Sequence, residues 1–383
     1  MKVVLSYGLG VDSTSILLRW LEEPETRNFD LADLIVLTAQ TGDEYAETGR
    51  DVEAHILPRL RAAGVRFVEV ARAGALQADG IKVLQDSRNP ERVHLEGAYR
   101  LSEELRAAAT IVIMGGTRKC SQKAKGAVLD AWLEAELEGA AYRHVIGFEA
   151  NEGSRRDRDQ TYGGNGRIAE YPLFDWSWDR QACIDYIRSV TGIEWRKSCC
   201  EHCPFAGGTK AGQAELATRW TRVPEAAVRV LMLENTALAL NPNMKLFKTR
   251  TAYEVAAASR TTAVESFLQL RDETTWAVYQ VRRVWKPRFH QGGMPRRDAA
   301  GRVQFMKQRS VHTVFTGTRE EALAEIQKHG EGVTHSTGFA RVYTRQGDAS
   351  LAETQVEELY VAAPHTATDK ATKSFDSAFE AVA

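Results

Sequence analysis

The stretch that most constrains this chain is its beginning. Val3-Val4-Leu5-Ser6 reads as a short buried strand, Tyr7-Gly8-Leu9-Gly10 as a turn, and Val11-Asp12-Ser13-Thr14-Ser15-Ile16-Leu17-Leu18 as the start of an amphipathic helix. Asp12, Ser13 and Thr14 are expected to cap that helix, and Ile16, Leu17 and Trp20 to pack back on the strand. A glycine turn opening onto a helix N-terminus makes an anion site: the backbone comes close, several N–H groups converge, and the helix dipole adds partial positive charge. An ordinary strand–turn–helix is the bland alternative. The turn has no lysine, so it is not a Walker A loop, and it lacks the third glycine of a dinucleotide fingerprint.

Further along, Asp33–Thr38, Arg66–Val70 and Tyr142–Gly147 read as buried strands. Helices are expected over Tyr45–Ala63, Ala124–Leu137 and Asp179–Val190. Gly74–Leu101 reads as a loop-rich excursion, and Thr110–Met114 as a strand-like run or a buried helix end. This alternation predicts an α/β domain, a Rossmann-like parallel sheet with helices on both faces. Ligands bind beyond the carboxyl ends of the strands in such sheets, which collects three loops opposite the opening turn. They are Thr38–Thr48, Gly115-Gly116-Thr117 through Lys123, and Phe148–Arg156.

Here the motifs acquire a family likeness. Gly8-Leu9-Gly10-Val11-Asp12-Ser13 resembles the Ser-Gly-Gly-x-Asp-Ser pyrophosphate loop of the ATP-pyrophosphatases, with Gly8 for the first serine and Leu9 for the first glycine. Thr41-Gly42-Asp43-Glu44-Tyr45-Ala46-Glu47-Thr48 is similar to the Thr-Gly-x-Glu-x-x-Glu-Thr segment of that superfamily's phosphoadenosine-phosphosulfate-reductase-like branch. Arg118-Lys119-Cys120-Ser121-Gln122-Lys123, Tyr171-Pro172-Leu173-Phe174-Asp175-Trp176 and Cys200-Glu201-His202-Cys203-Pro204-Phe205 resemble its Arg-x-Cys-Thr-x-x-x-Lys, Pro-Leu-x-Asp-Trp and Cys-x-x-Cys-Pro-Phe segments. The likeness covers the chain to about residue 205.

The resemblance implies ATP in the opening turn, cleaved to AMP and pyrophosphate. Ser6, Tyr7, Gly8, Gly10, Asp12, Ser13 and Thr14 would hold its phosphates, with Thr41 and Gly42 where the adenine is received. Asp12 would orient the turn or a Mg2+. Lys123, Arg155 or Arg156 would neutralise the departing pyrophosphate, and Glu152 would order Mg2+ or accept a proton. A surface carboxylate beside arginines is the plainer reading of Glu152. An adenylated acceptor could then take sulfur, as in the DNA phosphorothioation sulfur-insertion proteins of this branch. The expected partners are a nucleotide or nucleic-acid substrate and a sulfur donor such as a cysteine desulfurase. A phosphosulfate reductase is the second reading, against which stands a C-terminal tail without cysteine. A nucleotide-sensing or nucleic-acid-binding module without turnover is the third.

Five cysteines in 383 residues make no disulfide framework. Cys120, Cys199, Cys200 and Cys203 sit in polar, turn-like surroundings, whereas Cys183 lies in an amphipathic run as a small buried hydrophobe. Cys200-x-x-Cys203 with Cys199 and Cys120 offers three or four metal ligands. A 4Fe–4S cluster, a Zn2+ with His202 as substitute ligand, and a Cys-x-x-Cys redox pair all remain open.

The chain contains 50 basic and 51 acidic residues, so any nucleic-acid surface must be a local patch. No apolar run approaches the roughly 20 residues of a bilayer span, and a strand begins at once. No membrane association, a cytoplasmic location and a weakly held homo-oligomer are the expectations. Domain boundaries are expected at 1–205, 206–272 (helical), 273–363 (a small α+β module) and 364–383 (a frayed tail). Within the module, Val281–His290 with Arg296 and Arg297 mixes cations with aromatics. That pattern suits either a solvated basic edge, the preferred reading, or a nucleic-acid backbone.

Overall fold

Val3, Val4 and Leu5 are fully buried, and they make β1 (Val3–Ser6) an interior strand of a six-stranded sheet. In this computed structural model, residues 1–114, 118–164, 166–335, 337–348 and 350–382 are described. The chain divides into two units, Met1–Glu104 with Gly116–Cys203, and Leu105–Gly115 with Pro204–Ala383.

In the first unit β2 (Leu34–Gln40), β3 (Arg66–Arg72), β4 (Ile81–Ser87), β5 (Tyr142–Ile146) and β6 (Arg167–Glu170) join β1 in the order β4-β3-β2-β1-β5-β6. The chain thus builds outward from β1 on one side, then returns to β1's other edge with β5. Alternate residues of β1 face opposite helical layers. Val3 and Leu5 pack with Ile16, Leu17, Val52 and Cys183, while Val4 packs with Val128, Trp132 and Leu133.

The sheet differs from the expected all-parallel one in β4, which pairs antiparallel with β3. β4 is an edge strand in which no residue is fully buried, so its apolar alternation is weak. The four-residue β6 has no clear sequence pattern for the same reason. The helix expected over Tyr45–Ala63 is two, Ala46–His55 and Leu57–Ala63, because Pro58 has no N–H to continue the first. Thr110–Met114 forms no strand; Ala109 and Ile111 are buried, so the apolar run there marks burial without a ladder.

The second unit joins helices Lys210–Arg222, Pro224–Leu240, Ala252–Ala258 and Ala263–Glu273 to an antiparallel sheet. That sheet runs β8 (Phe305–Gly317), β7 (Trp276–Pro287), β11 (Gln355–Pro364), β10 (Ala340–Arg345), β9 (Val333–Thr334), with helix Arg319–Gln327 against it. Ala239 and Leu240, before the expected boundary near residue 272, share one core with Tyr279, Val281 and Val361 beyond it.

The tail is also ordered. Helix Lys373–Glu380 is capped by Thr372, and Phe375 and Phe379 pack on Val284. Two aromatics at i, i+4 are a short apolar stripe that a polar composition conceals. Among the described residues no helix is long and apolar enough to cross a membrane.

Candidate functional site

The opening turn is held by its carbonyls. Trp195 Nε1 donates to Leu9 O at 3.1 Å and Ser198 Oγ to Gly8 O at 2.9 Å. Ser198 Oγ also lies 2.7 Å from Glu44 Oε2, and Glu44 Oε1 accepts from the Cys199 N–H at 2.9 Å. The segment before the Cys-x-x-Cys turn therefore locks the loop from behind. Inside the turn, Gly8 N–H donates to Ser13 Oγ at 3.2 Å.

Gly10 is the N-cap of helix α1 (Val11–Glu22), and no side chain caps it. The expected capping by Asp12, Ser13 or Thr14 does not occur, and the first-turn amides keep no partner of the helix's own. That is the property an anion site requires.

Leu9 adopts the left-handed conformation, φ 58°, at the place where the resembled motif has glycine. Its side chain is 3% exposed and belongs to the core cluster, so burial offsets a strain of about 1–2 kcal/mol. Gly147, following β5, passes so close that a Cβ there would stand 2.9 Å from Ser13 N. Only glycine fits.

The expected residues part company at this point. Tyr7 and Thr14 are buried, and Thr14 Oγ1 donates to Tyr7 OH at 3.2 Å, so their side chains serve the core. Ser6 Oγ lies 2.7 Å from His144 Nε2. Arg167 Nε donates to His144 Nδ1 at 2.7 Å, and Arg167 is itself paired with Asp159. With Nδ1 accepting, the neutral ring carries its proton on Nε2 and gives it to Ser6 Oγ. Burial, reinforced by Arg167, lowers the His144 pKa to about 4. This is not a nucleophile–base pair. His144 occupies the acceptor side of the Ser6 hydroxyl and leaves the Ser6 proton to donate elsewhere.

Asp12 Oδ2 pairs with Arg180 at 2.8 Å, and Asp12 Oδ1 is buried without a partner. Burial raises the Asp12 pKa to about 6, with Glu152 and Glu149 adding to it and Arg180 and Arg155 opposing it. Glu152 pairs with Arg155 through one oxygen and leaves Oε2 buried and unpartnered. Two neighbouring carboxylates with one orphaned oxygen each suit a Mg2+ that also takes phosphate oxygens. Lys123 does not join them; its ammonium pairs with Glu104 at 3.4 Å. Arg156 pairs with Asp157. Gly115, Gly116 and Thr117 lie outside the described residues.

The cysteines gather without converging. Cys200 Sγ lies 3.1 Å from Thr41 Oγ1, and burial pushes its pKa up to about 12. Cys120 is raised by burial and by Cys203, and Lys125 opposes the shift at both Cys120 and Cys200. Among the described residues no three His, Cys, Asp or Glu side chains stand where they would hold one metal ion.

Gly42 has φ 84°, and a Cβ there would meet Arg100 Cγ at 2.6 Å. In the second unit, Arg282 and Arg283 of the basic–aromatic segment are taken up by Asp376 and Glu357.

Sequence reasoning missed Glu44 as a clamp, as well as Gly147, His144, Arg180, Trp195 and Ser198. Only a capped helix near Arg180 and a buried strand at His144 gave any local signal. No family model, curated protein or solved structure matches this chain.

Proposed function

We propose that the first unit is a Rossmann-like nucleotide-binding domain that takes ATP at the Tyr7–Ser13 turn and transfers its adenylyl group. The observation that carries this reading is the uncapped start of α1 placed after β1, between β2 and β5. The chain reverses direction across the sheet there, and that crevice is where open α/β sheets receive ligands.

In the reaction, an acceptor oxygen attacks the α-phosphorus. A new P–O bond forms, the bridging bond to the β-phosphate breaks, and pyrophosphate leaves. First-turn amides and the Ser6 hydroxyl would donate to phosphate oxygens, the latter because His144 already fills its acceptor side. Asp12 and Glu152 would hold a Mg2+, which supplies charge neutralisation on the phosphates. Arg180 and Arg155, paired with those carboxylates, would neutralise the departing pyrophosphate. The Cys120, Cys200 and Cys203 neighbourhood beside Thr41 is compatible with sulfur chemistry in a second half-reaction.

The test is product analysis with ATP labelled in the α-phosphate, Mg2+ and candidate nucleotide or nucleic-acid acceptors. AMP, or an AMP-linked acceptor, with equimolar pyrophosphate supports the proposal. ADP with orthophosphate contradicts it.

A further inference from the structure

The edge of the second sheet carries an arrangement that a nucleotide in the first unit leaves unused. Lys307, Arg309 and Ser310 of β8, Lys370, and Ser374 at the start of helix Lys373–Glu380 line a cavity of about 390 Å3. Among the described residues none of the three cations has a carboxylate partner. Neighbouring acids are engaged, Glu357 with Arg283, Asp376 with Arg282, and Asp369, which precedes Lys370, with His312 and the Thr313 N–H. The Arg309 guanidinium donates to the Ala108 carbonyl, and the Lys307 ammonium stands 3.1 Å above the Trp285 ring. Burial lowers the pKa of both Lys307 and Arg309, Arg309 to about 10, and Arg283 adds to each. These are cations desolvated beside a third cation with too little negative charge to balance them.

The hydroxyl of Ser310 is the second, independent sign. Ser310 is 2% exposed, yet its Oγ has no hydrogen-bond partner. Its cross-strand neighbour Arg282 likewise keeps a buried, unpartnered Nε. Buried polar atoms are rarely left unpaired. The Thr372 hydroxyl accepts from Phe375 N–H at 3.3 Å, which leaves the Lys373 and Ser374 amides as open donors.

We propose that this cavity is an oxyanion site for a tetrahedral phosphate group, held by Lys307, Arg309, Lys370, the Ser310 hydroxyl and the first amides of helix Lys373–Glu380. Three cations with a hydroxyl and helix amides match a multiply charged group with several acceptor oxygens better than a single carboxylate. The group is either free orthophosphate or a phosphodiester of a nucleic-acid strand. The site stands in the second unit and does not depend on the adenylyl-transfer reading.

The full chain labelled with 5-fluorotryptophan tests it by 19F NMR, with Trp285 assigned by Trp285→Phe. Trp195, which donates to Leu9 O, reports the opening turn in the same spectrum. Inorganic phosphate should move the Trp285 resonance along a saturating curve. Lys370→Gln combined with Ser310→Ala should raise the apparent Kd at least tenfold, with the remaining tryptophan resonances unchanged as proof of folding. A single-stranded oligonucleotide that moves Trp285 at lower concentration identifies the phosphodiester as the source, and a response to phosphate alone identifies the free ion. A Trp285 resonance that stays still, drifts linearly as for an adventitious ion only, or saturates equally in the double variant overturns the proposal.

Discussion

Asp12→Asn should make this protein more stable at neutral pH while removing the carboxylate proposed to hold Mg2+. The folded Asp12 pKa lies near 6 against an ordinary value of 3.8, and its side chain is 14% exposed. A shift of roughly two units corresponds to about 3 kcal/mol, an upper figure because the residue keeps some solvent. A carboxyl whose folded pKa is raised favours the folded state at low pH, and that contribution is lost as pH climbs from about 4 to 6. His144 has the opposite sign. Its folded pKa is depressed from 6.5 to about 4, so its contribution is full above 6.5 and disappears as pH falls through that window. In the wild-type protein these two slopes oppose each other between about pH 4 and 6. Asp12→Asn removes the Asp12 slope alone, so the difference between variant and wild type isolates it from His144 and from the other shifted groups, Glu234 and His202 among them. The variant should match wild type near pH 4 and exceed it at pH 7.5 by about 1–3 kcal/mol. At roughly 2–4 °C per kcal/mol for a unit of this size, Tm should rise by about 2–12 °C. Differential scanning calorimetry from pH 4 to 8 reads this directly. A variant less stable than wild type at pH 7.5, or one whose difference does not change with pH, would refute the reasoning and mean that the Arg180 pair outweighs the burial of the charge.

Gly147→Ala should lose about 1–3 kcal/mol in urea unfolding, since its Cβ would press on Ser13 N, and nucleotide affinity should fall with it. Gly8→Ser, which restores the serine of the resembled motif, meets no atom within 4 Å and should leave Tm within about 1 °C. Leu9→Gly relieves the left-handed strain but empties a core position. A net loss of about 1–4 kcal/mol is expected in calorimetry, and a gain would show that the strain outweighs the packing. Removing residues 373–383 exposes Val284 and should lower the melting temperature of the second unit by several degrees while leaving nucleotide binding by the first unchanged.

The parts of this fold that could be read from sequence were those whose cause is local. The glycine spacing announced the opening turn, and short apolar runs and period-3.6 patterns announced β1, β2, β3 and β5 with their helices. The weakly patterned edge strands β4 and β6 escaped, as did the tail helix, whose two phenylalanines sit among small polar residues. The site was legible on one side only. The motif named Gly8, Gly10, Asp12 and Ser13, but the groups that hold them are Trp195, Ser198, Gly147 and Arg180, more than 130 residues away. No local pattern carries such a contact. Cys-x-x-Cys spacing likewise says nothing of the Thr41 hydroxyl 3.1 Å from Cys200 Sγ, a contact across 159 residues.

The central claim is that the opening turn grips the phosphates of ATP through its amides. Glycine-selective 15N labelling, with Gly8 and Gly10 assigned by Gly8→Ser and Gly10→Ala, allows each amide to be watched while Mg2+ and α,β-methylene-ATP are added. The account predicts large, saturating shifts of the Gly8 and Gly10 amide resonances. Saturable binding that leaves both resonances in place would contradict it.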